Sequence, residues 1–125
     1  MILRGGYYLK RPILQEVGAL FIPVSDIEKA RDWYCDILGI QTEGDIQFGH
    51  IFVLPMKGCN IVLDSKIFNK EHTYKIPAFH LNTENIEEAY EYLKNKHVHI
   101  LSEIQHGHFF LIQDPDNNTL MVSKC

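Results

Sequence analysis

No stretch of this chain is apolar for anything near the roughly 20 residues that a helix needs to cross a bilayer. The opening residues, MILRGGYYLKRPIL, have neither a continuous apolar core nor a small-residue cleavage site, so the sequence predicts no secretory leader. Cysteine is scarce and odd in number: Cys35, Cys59 and Cys125, with no CxxC spacing. A reduced, cytoplasmic protein is the simplest expectation from that usage. Positive charge is in deficit, with 12 Lys and Arg against 16 Asp and Glu and a net charge of −4. Nucleic-acid binding rests on clustered cations, and Lys10-Arg11 is too short a cluster to supply them. No segment is of low complexity. What is left is an ordinary globular composition, 46% hydrophobic and 22% charged over 125 residues, which predicts one domain. At this length folding removes about two-thirds of the unfolded chain's surface from water, enough for a real core.

The chain is organised around VGALFIPVSDIEKARDWYCDILGI, residues 17–40. Ala19 to Val24 is a short apolar run of strand length. Ser25 and Glu28 stand three apart before a helical pattern, the spacing of a capping box. Ile27, Ala30, Tyr34, Ile37 and Leu38 share one helical face, and Gly39 is placed to stop the helix in a left-handed conformation. The plan recurs. Ile76 to Leu81 is a second apolar run, Asn85 and Glu88 repeat the cap spacing, and Ile86, Ala89, Tyr90 and Leu93 repeat the face. With Ile27 set against Ile86 and Ala19 against Ile76, the second strand-to-helix connection is two residues longer than the first. Such a repeat fixes an architecture.

Short strands are expected after each helix: Ile46 to Phe48, Ile51 to Leu54 and Asn60 to Leu63, then Val98 to Leu101, Phe109 to Ile112 and Leu120 to Val122. Pro55 to Gly58 and Asp114-Pro115-Asp116-Asn117-Asn118 read as turns. The expected division is an N-terminal extension over 1–15, a first unit over 16–64, a polar linker over 65–75 and a second unit over 76–125. Gly5-Gly6 breaks the extension, and Tyr7 to Leu9 is either a short edge strand or loose.

The order βαβββ, twice, resembles the vicinal oxygen chelate superfamily of glyoxalases, bleomycin-resistance proteins and extradiol dioxygenases. VSDIEKARDWYCDILGI is similar to that family's strand-turn-helix ending in Leu-Gly, and FFLIQDPDNNTLMV to its Asp-Pro-Asp-Gly-Asn hairpin, with Asn117 in place of Gly. The resemblance implies an α+β fold in which the two units form a partly open barrel around a ligand cleft, and a homodimer. The apolar and aromatic Ile2, Tyr7 and Tyr8 of the extension agree with the dimer. It also implies where metal ligands would stand: Ala19, Val62, Ile76 and Met121. None of these side chains offers the N, O or thiolate donor that such a cation needs, so no cofactor is expected.

Strand alternation extends the cleft face to Phe21 and Pro23, Asn60 and Asp64, Ala78 and His80, and Thr119 and Ser123. Ala19, Phe21, Asn60, Val62, Ile76, Ala78, His80 and Met121 are therefore the candidate ligand-binding residues, a mostly apolar wall with a few polar groups. Filling a barrel core is the competing use for them. His80 is the one candidate for a catalytic role, as a general base or ligand hydrogen bond, against a core histidine satisfied by a neighbour. A relocated metal site made of His50, His80, His106 and His108 is the enzyme alternative, serving a lyase, isomerase or dioxygenase-type reaction. His72, His97 and His99 are expected in solvent, Cys59 as an unreactive thiol, Trp33 in helix packing or a dimer contact, and Glu84, Glu87, Glu88 and Glu91 as a solvated helix face. The expected partners are a small molecule and a second copy of the chain, with neither nucleic acid nor membrane.

Overall fold

The computed structural model describes residues 3–4, 7–8, 11–41 and 44–125. Ile2, Leu9 and the expected break at Gly5-Gly6 lie outside the described residues. β1 (Leu3–Arg4) and β2 (Tyr7–Tyr8) pair antiparallel as a two-stranded sheet of their own, rather than adding an edge to a larger one.

The first unit is β3 (Ala19–Pro23), α1 (Ile27–Leu38), β4 (Ile51–Leu54) and β5 (Asn60–Asp64), with sheet order β3-β5-β4. β3 runs parallel to β5, and β4 antiparallel to it. The second unit is β6 (His80–Thr83), α2 (Ile86–Asn95), β7 (His99–Ile100), β8 (Phe109–Gln113) and β9 (Thr119–Lys124), in the order β6-β9-β8-β7. The fold is α+β, two mixed sheets that stay open rather than closing into a barrel. The strand expected over Ile46 to Phe48 shrinks to one bridge, Gln47 to Ile51, because Phe48 (φ 53°) and Gly49 (φ 77°) turn the chain there.

The repeat holds at a separation of 59 residues through the helix caps and the parallel strand pairs. The helix caps are Asp26 and Asn85, and the parallel pairs Phe21–Val62 and His80–Met121 share that interval. Ala19 therefore corresponds to Ala78, not to Ile76, and the second strand-to-helix connection, between Thr83 and Ile86, is no longer than the first, between Pro23 and Ile27. The second strand begins at His80, four residues later than the apolar run suggests.

The first cap is also displaced by one position. Asp26, not Ser25, has the extended backbone of an N-cap and accepts from Lys29 N at 3.1 Å. Ser25 instead donates its backbone N–H to Asp116 Oδ2 at 3.0 Å. Asn85 caps as expected, accepting from Glu88 N at 2.9 Å. Asp26→Ala should accordingly cost about 1 kcal/mol in urea unfolding, and Ser25→Ala close to nothing. Equal losses would restore the Ser25 cap. At the other end Gly39 sits at φ 69°, and the helix stops there as its left-handed backbone requires.

Both units feed one core. Ile22, Tyr34, Phe52 and Leu63 of the first pack with Ile86, Phe110, Ile112 and Leu120 of the second. The helices meet near their C-terminal ends, where Tyr92 OH donates to Ile37 O at 3.0 Å. Polar bonds close the rest of the joint. Asn118 Nδ2 donates to Pro23 O at 2.8 Å, and Tyr34 OH to Asp114 Oδ2 at 2.6 Å. The linker is more than a solvated tether: Thr73 is buried, Tyr74 N donates to Asn118 Oδ1, and Tyr74 OH donates to Phe21 O.

Candidate functional site

Successive residues of a strand point to opposite faces. In β5, Ile61 and Leu63 join the shared core and Val62 does not; in β3, Ile22 is in the core and Phe21 is 50% exposed. Phe52 and Leu54 of β4 turn inward, leaving Ile51 and Val53 on the other side. The same division separates Phe110, Ile112, Leu120 and Val122 from Leu111, Met121 and His80. Each sheet thus has a face buried against the core and an opposite face carrying apolar side chains.

Register sets the neighbours on that opposite face. Phe21, Val62 and Val53 lie side by side across β3, β5 and β4, with Ala19 beside Asn60. His80, Met121 and Leu111 lie side by side across β6, β9 and β8. Asn60 is already engaged, since its Oδ1 accepts from Met56 N at 3.0 Å across the Pro55 turn. Ala78 is exposed, two residues ahead of β6, and Ile76 is 77% exposed outside any strand. His80 is exposed at the start of β6, which removes it from the core. A further depression lies elsewhere. It is an open groove of about 810 Å³ on the helix side, between Ile37, Leu81, Glu88, Ala89, Tyr92 and Leu93.

In the 59-residue register Ala78 takes the place of Ile76, so the four positions that the resemblance implies for metal ligands become Ala19, Val62, Ala78 and Met121. Three hydrocarbon side chains and a thioether are not a donor set for a divalent cation, so the residues present do not fit one. The alternative set is not assembled either. Among the described residues no three of His, Cys, Asp and Glu come together to hold a metal. His80, His106 and His108 are exposed, while His50 makes a pair that the sequence did not indicate: its Nδ1 lies 2.8 Å from Oδ1 of Asp64, a residue that alternation sets on the cleft face. Asp64 is buried at the end of β5 and also accepts from Lys66 N at 2.9 Å. Cys35 is buried, and burial raises its thiol pKa, so it carries no ready nucleophile.

The fold agrees with what comparison with known proteins finds. Residues 16–122 match the family model of the Glyoxalase/Bleomycin resistance protein/Dioxygenase superfamily, and the chain belongs to that superfamily. Among solved structures it is similar to TnmS3, an antibiotic binding protein from Streptomyces sp. CB03234, at 20% identity and a TM-score of 0.72, over 91% of this chain and 98% of that one. It is similar to a superfamily member from Sphaerobacter thermophilus DSM 20745 at 24% identity and a TM-score of 0.68, over 90% and 98%. It is also similar to lactoylglutathione lyase from Agrobacterium tumefaciens at 13% identity and a TM-score of 0.67, over 91% and 96%. No curated protein matches the sequence significantly. Identities this low establish the shared fold and nothing of the chemistry. Among the described residues no helix is long and apolar enough to cross a membrane.

Proposed function

We propose that this protein binds a flat, largely apolar small molecule on the sheet faces opposite its core, without the divalent metal of its enzymatic relatives, and that it does so in the cytoplasm as a homodimer. One observation carries the proposal: the family's ligand positions are apolar while the face around them is kept, with Phe21 half exposed beside Val62 and Val53. An apolar surface with a few polar groups is what a small-molecule site requires. An aromatic side chain left half in water gains most when a flat ligand covers it. That TnmS3 has this fold and binds an antibiotic is in keeping with this use.

The test uses protein stripped of metal with a chelator and titrated with nitrobenzene, a flat probe without a hydrogen-bond donor. Binding should survive the chelator. Phe21→Ala should weaken it about tenfold while changing stability by no more than about 0.5 kcal/mol, as expected of a half-exposed side chain. A stoichiometric divalent metal retained by the untreated protein, or binding indifferent to Phe21→Ala, would overturn the proposal. Light scattering at micromolar concentration tests the dimer against the 14.5 kDa monomer mass.

A further inference from the structure

One turn of this protein is built twice. Gln47-Phe48-Gly49-His50-Ile51-Phe52 and Gln105-His106-Gly107-His108-Phe109-Phe110 each close with a bridge, Gln47 to Ile51 and Gln105 to Phe109. Each places two consecutive residues in the left-handed region: Phe48 and Gly49 at φ 53° and 77°, His106 and Gly107 at φ 52° and 62°. Each ties its histidine carbonyl to the chain at the end of the unit's last strand, Ser65 N, just past β5, to His50 O at 2.9 Å and Lys124 N, the last residue of β9, to His108 O at 2.8 Å. The copies differ in what faces the histidine. Ile51 pairs with Asp64, whereas Phe109 pairs with Ser123. The turn forms equally well in both units, so the His50–Asp64 pair is not something the turn requires.

We propose that His50 and Asp64 form a proton-accepting dyad at the edge of the first unit's open sheet face, which receives the O–H of a phenol or enol whose flat body lies on Phe21, Val53 and Val62. The proposal rests on the reading of that face as the ligand site. An ionised carboxylate only accepts hydrogen bonds, so His50 Nδ1 carries the hydrogen it shares with Asp64. Nε2 is then left with a free lone pair and, among the described residues, has no hydrogen-bond partner. The imidazole is accessible, with a quarter of its side chain exposed, while Asp64 is held in place by Lys66 N. Asp64 follows Val62 by two residues in β5, which sets both on the same side of the sheet. When the ligand gives up its proton, the O–H bond breaks and an N–H bond forms at Nε2. The products are a phenolate or enolate beside an imidazolium, which the buried carboxylate balances; nothing is oxidised or reduced. His50 is the group that touches the ligand, and Asp64 is a positioning residue that acts through it.

The probe is para-nitrophenol, whose ionised form absorbs visible light, compared with nitrobenzene, which lacks the hydroxyl. With the wild type at neutral pH, binding of para-nitrophenol should raise its ionised fraction. His50→Gln should abolish that rise and weaken para-nitrophenol about tenfold, the usual size of one lost hydrogen bond to a charged or polarised group. Nitrobenzene should bind both proteins within about twofold. Asp64→Asn should move the nitrogen-15 signals of His50 toward the other tautomer and reduce the colour change, which a merely structural carboxylate would not do. His108→Gln, the same turn without a carboxylate, should change nothing. If para-nitrophenol binds wild type and His50→Gln alike with no rise in ionisation, the dyad is wrong and the apolar face stands. If neither compound binds the wild type, the face is wrong and the dyad falls with it.

Discussion

Asp114→Ala is expected to destabilise the protein by about 4 kcal/mol, because one buried carboxylate satisfies donors from several directions. Its Oδ2 accepts from Tyr34 OH at 2.6 Å and Asn118 Nδ2 at 2.9 Å; its Oδ1 accepts from Asp116 N at 2.8 Å and Asn118 N at 2.9 Å. Asn118, fully buried, in turn holds Pro23 O and Tyr74 N. Truncation leaves these donors in a space where only Asp114 served them. Each orphan costs about 1–3 kcal/mol, and members of one network do not add independently. A loss of this size is a large part of the 5–15 kcal/mol typical of a whole domain. Tyr34→Phe is the contrast. It removes a single donor and keeps the ring in the core, for about 1.5 kcal/mol. Urea unfolding of both variants decides the matter: if Asp114→Ala costs no more than Tyr34→Phe, the carboxylate is not the hub of the joint.

The same network gives a pH dependence with a definite sign. Burial raises the pKa of Asp114 above its ordinary 3.8, although the donors from Tyr34 and Asn118 pull it down. The folded state therefore holds this proton more tightly than the unfolded state. The resulting stabilisation is fully present below the unfolded value and is lost as pH rises through the folded one. The stability of the wild type relative to Asp114→Asn should fall across that window above pH 3.8. Tyr34, whose pKa is raised well above the usual range by its burial and by Asp114, stays a donor throughout.

The helices were legible in the sequence because their signals are local. A cap and an apolar face at helical spacing lie within 15 residues of one another in both, with a glycine stop after α1, so errors there are small, as with Asp26 in place of Ser25. The second strand was not, because its register is set by a partner far along the chain. Ile76 to Leu81 is apolar throughout, and apolarity alone does not say which residues pair with Thr119–Lys124. Holding the repeat to one interval would have placed Ala78 opposite Ala19. The fold class came from the order of elements and needed neither detail. The His50–Asp64 pair escaped because a histidine and an aspartate 14 residues apart carry no spacing signal. The doubled Gln-x-Gly-His turn was visible in the sequence and went unused; it is what makes the pair stand out, since only one copy has the carboxylate.

The register correction leads to the second large effect, a gain of function. The four positions that the resemblance and this register together imply for the family's ligands are Ala19, Val62, Ala78 and Met121, which return almost nothing to a cation that has shed its water. The wild type should show no specific zinc at that place, with its exposed histidines giving only weak background sites. Ala19→His, Val62→Glu, Ala78→His and Met121→Glu combined should raise zinc affinity at least about 100-fold, because four first-shell donors then converge as they do in structural and catalytic zinc sites. Some stability should be lost, since Val62 is buried and a glutamate there must be desolvated until the metal pairs it. The decisive comparison is the same quadruple variant with Ile76→His in place of Ala78→His. Ile76 stands two residues out of the 59-residue register that sets Ala78 against Ala19, so that version should bind zinc no better than the triple variant lacking the second histidine. Calorimetric titration reads the difference directly. If the Ile76 version gains the metal and the Ala78 version does not, the 59-residue register is wrong. If the wild type itself binds one equivalent tightly and Ala19→His leaves that unchanged, the metal-free use of these faces is wrong, whichever register holds.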